Sequence, residues 1–185
     1  SLISDRPYLL YVGLRDGYKN FDRLLTAFAN CRPVRADHRL VCFGGGPWST
    51  DERTRIAKLG LSENDLLQIS GDDELLAGLY RQAALMVYPS LYEGFGIPPL
   101  ECLACGTPAV VSRGLALDDA WPDYPYRIAN LTAAAIEKAM QAPALNLVGK
   151  DTLTQSLAVM ERSAVVLTPD SGPAHMASAV GTPVV

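Results

Sequence analysis

The chain has 185 residues, 49% hydrophobic and 19% charged, which is room for one ordinary domain, or a domain plus a fragment, with ample apolar material for a core. Disorder, collagen and a disulfide scaffold are thereby excluded. Sixteen Lys and Arg against twenty Asp and Glu give a net charge of -4, which argues against broad electrostatic binding to nucleic acid.

In chain order, Tyr8-Leu-Leu-Tyr-Val12 is a continuous apolar run ending at Gly13, the pattern of a strand covered on both faces in a parallel sheet. After a polar turn, Phe21, Leu24, Leu25 and Phe28 fall on one face of a helix. Leu40-Val-Cys-Phe43 repeats the strand pattern and runs into Gly44-Gly-Gly-Pro47, with a polar helix over 51–59. The alternation continues as a strand over 66–69, a helix over 72–83, a strand over 85–88, a helix over 98–104 and a strand over 109–111. Residues 118–125 read as loop, 126–128 as a short last strand and 131–140 as an Ala-rich helix. Strands and helices taking turns across short links predict an α/β fold, a Rossmann-like doubly wound parallel sheet.

Pro143 marks an expected boundary, giving a domain over 1–142 and a partial second Rossmann-like unit over 143–185. Residues 147–149, 152–162, 164–167 and Gly181-Thr-Pro183 retrace the order of elements between Leu67 and Val111, so this piece reads as a repeat, an extra partial β-α-β unit. About 40 residues are too few to bury a core of their own. The segment is therefore expected to extend the first sheet, to self-associate with another copy, or to be an excerpt or fusion, the reading we favour.

No apolar run approaches the roughly 20 residues that span a bilayer, and the start lacks a signal peptide's apolar core, so a cytoplasmic protein is expected. Of the four cysteines only Cys102 and Cys105 have ligand-like spacing, which is half a zinc site, and His38 and His175 lie far apart. No metal site is expected.

In an open parallel sheet, ligands bind beyond the carboxyl ends of the strands. Three turns there stand out. Gly13-Leu-Arg-Asp-Gly-Tyr-Lys19 sets two cations, Arg15 and Lys19, in a glycine-bearing loop before a helix, suited to a diphosphate but equally readable as a solvated turn. Gly44-Gly-Gly-Pro47 lets backbone approach a ligand, or simply turns a corner; it is neither a dinucleotide fingerprint nor a P-loop. Pro89 to Glu101 is the informative turn, with Glu93 in the loop and Glu101 inside the helix that Pro98 or Pro99 starts. Gly94 and Gly96 leave amide N–H groups uncovered for anionic oxygens, and the carboxylates suit sugar or ribose hydroxyls.

These segments, with Tyr18-Lys-Asn-Phe21, Tyr88-Pro-Ser-Leu-Tyr-Glu-Gly-Phe-Gly-Ile-Pro-Pro-Leu-Glu101 and Ala104-Cys-Gly-Thr-Pro108, resemble over residues 7–140 the donor-binding, C-terminal half of the family-4 (group 1) retaining GT-B glycosyltransferases. The resemblance implies a donor domain for retaining transfer of a hexose from a nucleoside diphosphate sugar, with no further cofactor, to an acceptor glycan or lipid held by an N-terminal domain. It implies peripheral membrane association of the full enzyme and little transfer by this chain alone. Arg15 and Lys19 would hold the diphosphate beside Gly13 and Gly45, although the family's Arg directly after the glycine is Leu14 here. Glu93, with the backbone of Gly94, Phe95 and Gly96, would hold the sugar at the reacting carbon; Glu101 would take the ribose, and Gln68 to Gly71, Ser70 among them, would lie beside the base. Residues 145–185 resemble the donor half of the heptosyltransferase family, where Asp170, Ser171, Gly172 and His175 would form a second anion site. The alternatives are a non-catalytic nucleotide-sugar-binding or assembly module and a GT-B nucleotide-sugar epimerase.

Overall fold

A computed structural model of the protein describes residues 6–93, 96–113, 127–128 and 132–141. Six strands, β1 (Tyr8–Val12), β2 (Arg39–Phe43), β3 (Leu66–Ile69), β4 (Leu85–Tyr88), β5 (Ala109–Ser112) and β6 (Arg127–Ile128), form one sheet in the order β3-β2-β1-β4-β5-β6. Every pairing is parallel, with Leu9 of β1 opposite both Leu40 and Leu85. Strand order therefore reverses between β1 and β4, and the loops leaving those two strands open at one crevice.

The central strands β1 and β4 are apolar and buried throughout because both faces are covered. Leu9 and Tyr11 of β1 pack with Phe21, Leu24 and Phe28 of α1 (Phe21–Asn30), Val34 of α2 (Arg32–Asp37) and Ile136 of α6 (Ala133–Met140). Tyr8, Leu10 and Val12 pack on the opposite face with Leu79 and Tyr80 of α4 (Asp73–Gln82) and Cys102 of α5 (Ile97–Ala104). Helix α3 (Thr50–Lys58) buries no residue and is held at its start by a capping box: Ser49 Oγ accepts from Glu52 N–H and Glu52 Oε2 accepts from Ser49 N–H. Asp72 and Thr132 cap α4 and α6 by accepting from Leu75 N–H and Ala135 N–H through their side-chain oxygens, without the reciprocal bond.

The doubly wound α/β sheet is as expected, with the helix over 72–83 trimmed to α4 and the strand over 126–128 trimmed to β6. Helix α2 and a 3-10 turn over Gly17–Lys19 were not expected. Only Val34 of α2 is buried, so that helix carries almost no periodic signal. The predicted loop over 118–125 and the second unit over 143–185 lie outside the described residues. Among the described residues no helix is long and apolar enough to cross a membrane.

Candidate functional site

The site is built where the loops after β1 and β4 meet. Asn20 adopts a left-handed conformation, with φ 59°, between the 3-10 turn and α1, and its side-chain amide donates to Pro89 O at 3.1 Å. Leu91 N–H donates to Tyr18 O at 2.8 Å, so the two loops are joined through backbone as well. This brings Lys19 Nζ to 2.5 Å from Glu93 Oε1 and 3.5 Å from the Tyr88 hydroxyl. Both charged side chains are 12% exposed. The Lys19 side chain runs over Gly13, where an added Cβ would lie 4.0 Å from Nζ, and Gly13 itself has φ 129°, a conformation that L side chains rarely adopt.

Burial pushes the Glu93 carboxyl up, but the hydrogen bond from the Lys19 ammonium, helped by the neighbouring Ser90 and Tyr88 hydroxyls, outweighs it and holds the group below its ordinary range. Glu93 is thus an anion at neutral pH. The Tyr88 hydroxyl is shifted the other way, first by burial and then by its bond to Glu93.

Arg15 does not share this pocket of charge. Its guanidinium turns to the glycine turn after β2, donating to Gly44 O at 2.8 Å and Gly46 O at 2.9 Å and pairing with Glu52 at 2.5 Å. The sequence placed Arg15 and Lys19 side by side on one ligand; the structure gives them different partners. Gly45 stands exposed in that turn. Ser70, at the end of β3, accepts from Gln68 Nε2 at 2.9 Å, and the same amide reaches Gly44 O at 3.4 Å, so the expected base side and the glycine turn are contiguous.

Glu101 sits in α5, whose N-cap is Gly96 with Pro98 in the first turn, as expected. One of its oxygens, Oε2, accepts from the buried Tyr80 hydroxyl at 2.9 Å. Gly94, Phe95, Asp170, Ser171, Gly172 and His175 lie outside the described residues. An open hollow of about 250 Å³ against the 3-10 turn is lined by Arg15, Asp16, Gly17, Asn20, Phe21 and Leu91 among others; neither Lys19 nor Glu93 lines it. Among the described residues no three His, Cys, Asp or Glu side chains are grouped to hold a metal ion.

Sequence reasoning gave no role to Asn20, Glu52, Tyr80, Tyr88 or Ser90, although Asn20, Tyr88 and Ser90 lie in segments that carry the resemblance and Glu52 completes the Ser49-x-x-Glu52 capping box.

With this geometry in place, the comparisons identify the class. Residues 1–124 match the model for glycosyl transferases group 1, and the chain belongs to that family. Residues 122–185 match the model for glycosyltransferase family 9 (heptosyltransferase), so the two matches meet earlier than the 140–145 at which the resemblances were read. The chain is 35% identical over 114 residues to O-antigen chain mannosyltransferase B of Escherichia coli, covering 60% of this chain and 30% of that one. It is 36% identical over 111 residues to GDP-mannose-dependent alpha-(1-6)-phosphatidylinositol dimannoside mannosyltransferase of Mycobacterium tuberculosis, covering 60% and 28%. The chain thus spans less than a third of the length of these curated relatives. Among solved structures, sucrose-phosphate synthase from Thermosynechococcus elongatus superposes with a TM-score of 0.62 at 24% identity, over 96% of this chain and 42% of that one. That likeness establishes the fold, one half of a GT-B glycosyltransferase.

Proposed function

We propose that the chain is the donor-binding domain of a retaining glycosyltransferase, binding a nucleoside diphosphate sugar for transfer of a hexose to an acceptor glycan or lipid. The observation that carries this reading is the Lys19–Glu93 pair, a cation and an ionised carboxylate at the β1/β4 crevice. Breaking a glycosidic bond to diphosphate leaves negative charge on the departing oxygens and positive charge on the sugar carbon. A group of each sign, fixed before the reaction, stabilises that separation electrostatically. Lys19 exchanges Glu93 for a diphosphate oxygen, assisted by N–H groups at the start of α5. Glu93, released from its ion pair, accepts from a sugar hydroxyl and faces the developing oxocarbenium charge. Glu101 takes the ribose hydroxyls while Gly45 and Ser70 border the base. The acceptor is held by a further domain of a longer enzyme.

Two relatives are named as mannosyltransferases, one of them GDP-mannose-dependent, which makes GDP-mannose the first donor to try. A thermal-shift panel of nucleoside diphosphate sugars tests the reading. The true donor stabilises the fold by about 2.7 kcal/mol at 100 times its dissociation constant, and no shift with any of them rejects it. Lys19→Ala is expected to weaken a nucleoside diphosphate more than its nucleoside, and equal losses contradict the diphosphate role. Glu93→Ala in the full-length enzyme is expected to lower turnover more than donor affinity.

A further inference from the structure

We infer that Arg15 is a positioning residue that shapes the glycine turn, rather than a second cation on the donor diphosphate; this rests on the donor-domain reading above. All three nitrogens of its guanidinium are bonded to protein. Nε and Nη2 face the two oxygens of Glu52 at 2.5 and 3.4 Å, and Nη1 donates to Gly44 O at 2.8 Å. Nη2 also reaches Gly45 O, Gly46 O and Pro47 O at 3.2, 2.9 and 3.3 Å. A guanidinium has five N–H donors in a rigid planar fork, and each of its three nitrogens here already faces a protein acceptor. One face of that fork lies 4.6 Å from the Trp48 ring centroid, and the side chain is 5% exposed.

The turn is cut to fit this side chain. Gly44, Gly45 and Gly46 have φ of 90°, 69° and 69°, a left-handed run that only glycine adopts readily, and a Cβ added at Gly45 would stand 2.4 Å from Nη1. With their carbonyls drawn to Arg15, the amide N–H groups of Gly45 and Gly46 have no acceptor among the described residues, which leaves them for a ligand. Charge is balanced on the spot. Burial pushes the Glu52 carboxyl up, but hydrogen bonds from Arg15 and Ser49 hold it below its ordinary range, so an anion faces the guanidinium at neutral pH. The same Glu52 closes the capping box of α3, so the turn, Arg15 and the first turn of α3 are one hydrogen-bonded unit. Lys19 is then the cation that meets the diphosphate from the β1 loop.

The two roles predict opposite signs at Glu52. Affinities for GDP and UDP, each with its nucleoside, are measured for the parent, Arg15→Gln, Arg15→Lys, Glu52→Gln and the Arg15→Gln/Glu52→Gln pair. If Arg15 shapes the turn, every variant weakens nucleoside and nucleoside diphosphate alike, by roughly tenfold. Lysine then fails to rescue, and the double variant is no worse than either single one. If Arg15 were a phosphate ligand, Arg15→Gln would weaken only the diphosphate and Glu52→Gln would tighten it by removing a competing carboxylate; that result overturns the inference. A second measurement needs no ligand. The chain has two tryptophans, so in a Trp121→Phe background the emission of Trp48 reports the stacked guanidinium. It is expected to change in Arg15→Gln and Glu52→Gln but not in Lys19→Gln. Should the parent bind no nucleoside diphosphate or nucleoside diphosphate sugar of the panel, the donor-domain reading falls, and unchanged Trp48 emission in Arg15→Gln would separately overturn the role given to Arg15.

Discussion

At the scale of single residues, Tyr80 shows how a group far from the crevice by sequence can set a site carboxylate. It is 2% exposed on α4, its hydroxyl donates to Glu101 Oε2 and its backbone carbonyl accepts from Thr107 Oγ1 at 2.5 Å. Burial, and then the neighbouring Glu101, raise the Tyr80 hydroxyl far above its ordinary value, so it stays a donor across the working pH range. With one carboxylate oxygen of Glu101 bonded to Tyr80, the ribose role proposed for Glu101 falls to the other. Tyr80→Phe is therefore expected to weaken a ribonucleoside diphosphate by about 0.5–1.5 kcal/mol, the net value of one hydrogen bond. The 2′,3′-dideoxy form, which has no ribose hydroxyls to hold, is expected to bind unchanged. Calorimetric titration of the two ligands checks this, and equal losses would contradict the ribose role of Glu101. The meeting of Lys19 with Glu93 was legible because both charged residues stand in glycine-bearing turns after strands that neighbour each other in the sheet. The direction of Arg15 was not, since its partners are mostly backbone carbonyls 29 to 32 residues away, whose orientation depends on the glycine turn.

Among the elements, what could be read was what burial writes into composition. Five of the strands were found within a residue or so because both faces are covered, and α1 because its buried face repeats at helical spacing. Helix α2 was invisible because it is held by polar contacts rather than by an apolar face. Arg35 of α2 donates to both oxygens of Asp65, at 2.9 and 3.1 Å, and to Gly60 O at 2.6 Å. Asp65 also accepts from Ser62 N–H and Ser62 Oγ, each at 2.8 Å. Burial pushes the Asp65 carboxyl up, yet the bonds from Arg35 and Ser62 win and hold it below its ordinary value of 3.8. A carboxyl more acidic in the folded than in the unfolded chain adds stability in full above the ordinary value and loses it as pH falls through the folded one. Asp65→Asn is expected to cost about 1–3 kcal/mol at neutral pH, with a shallower fall of stability below pH 3.8 than the parent shows. Urea unfolding at a series of pH values measures both. Acid limbs of equal slope would mean that the Arg35–Asp65 contact contributes nothing to the pH response.

For the whole molecule the question is where the group 1 sheet ends. The family match stops at residue 124, yet β6 pairs in parallel with β5, Val111 opposite Arg127 and Ser112 opposite Ile128. Helix α6 lies against α1: Ile136 is fully buried and Met140 nearly so within the cluster that holds Phe21, Leu24 and Phe28. Gln141 Nε2 approaches Cys31 Sγ at 3.3 Å where α1 ends. Residues that match the family 9 model therefore complete the core built by residues that match the group 1 model, and the two stretches share one hydrophobic cluster. If that cluster is a single cooperative unit, cutting the Ile136 side chain back must destabilise strands more than a hundred residues earlier. Ile136→Ala is expected to lower stability by about 2–5 kcal/mol, the transfer and cavity cost of a buried Ile. It should do so without splitting the unfolding transition, as followed in a Trp121→Phe background by Trp48 emission and far-ultraviolet circular dichroism together. A loss near zero, or a separate early transition in which Trp48 takes no part, would place α6 outside the unit that carries the Lys19–Glu93 site.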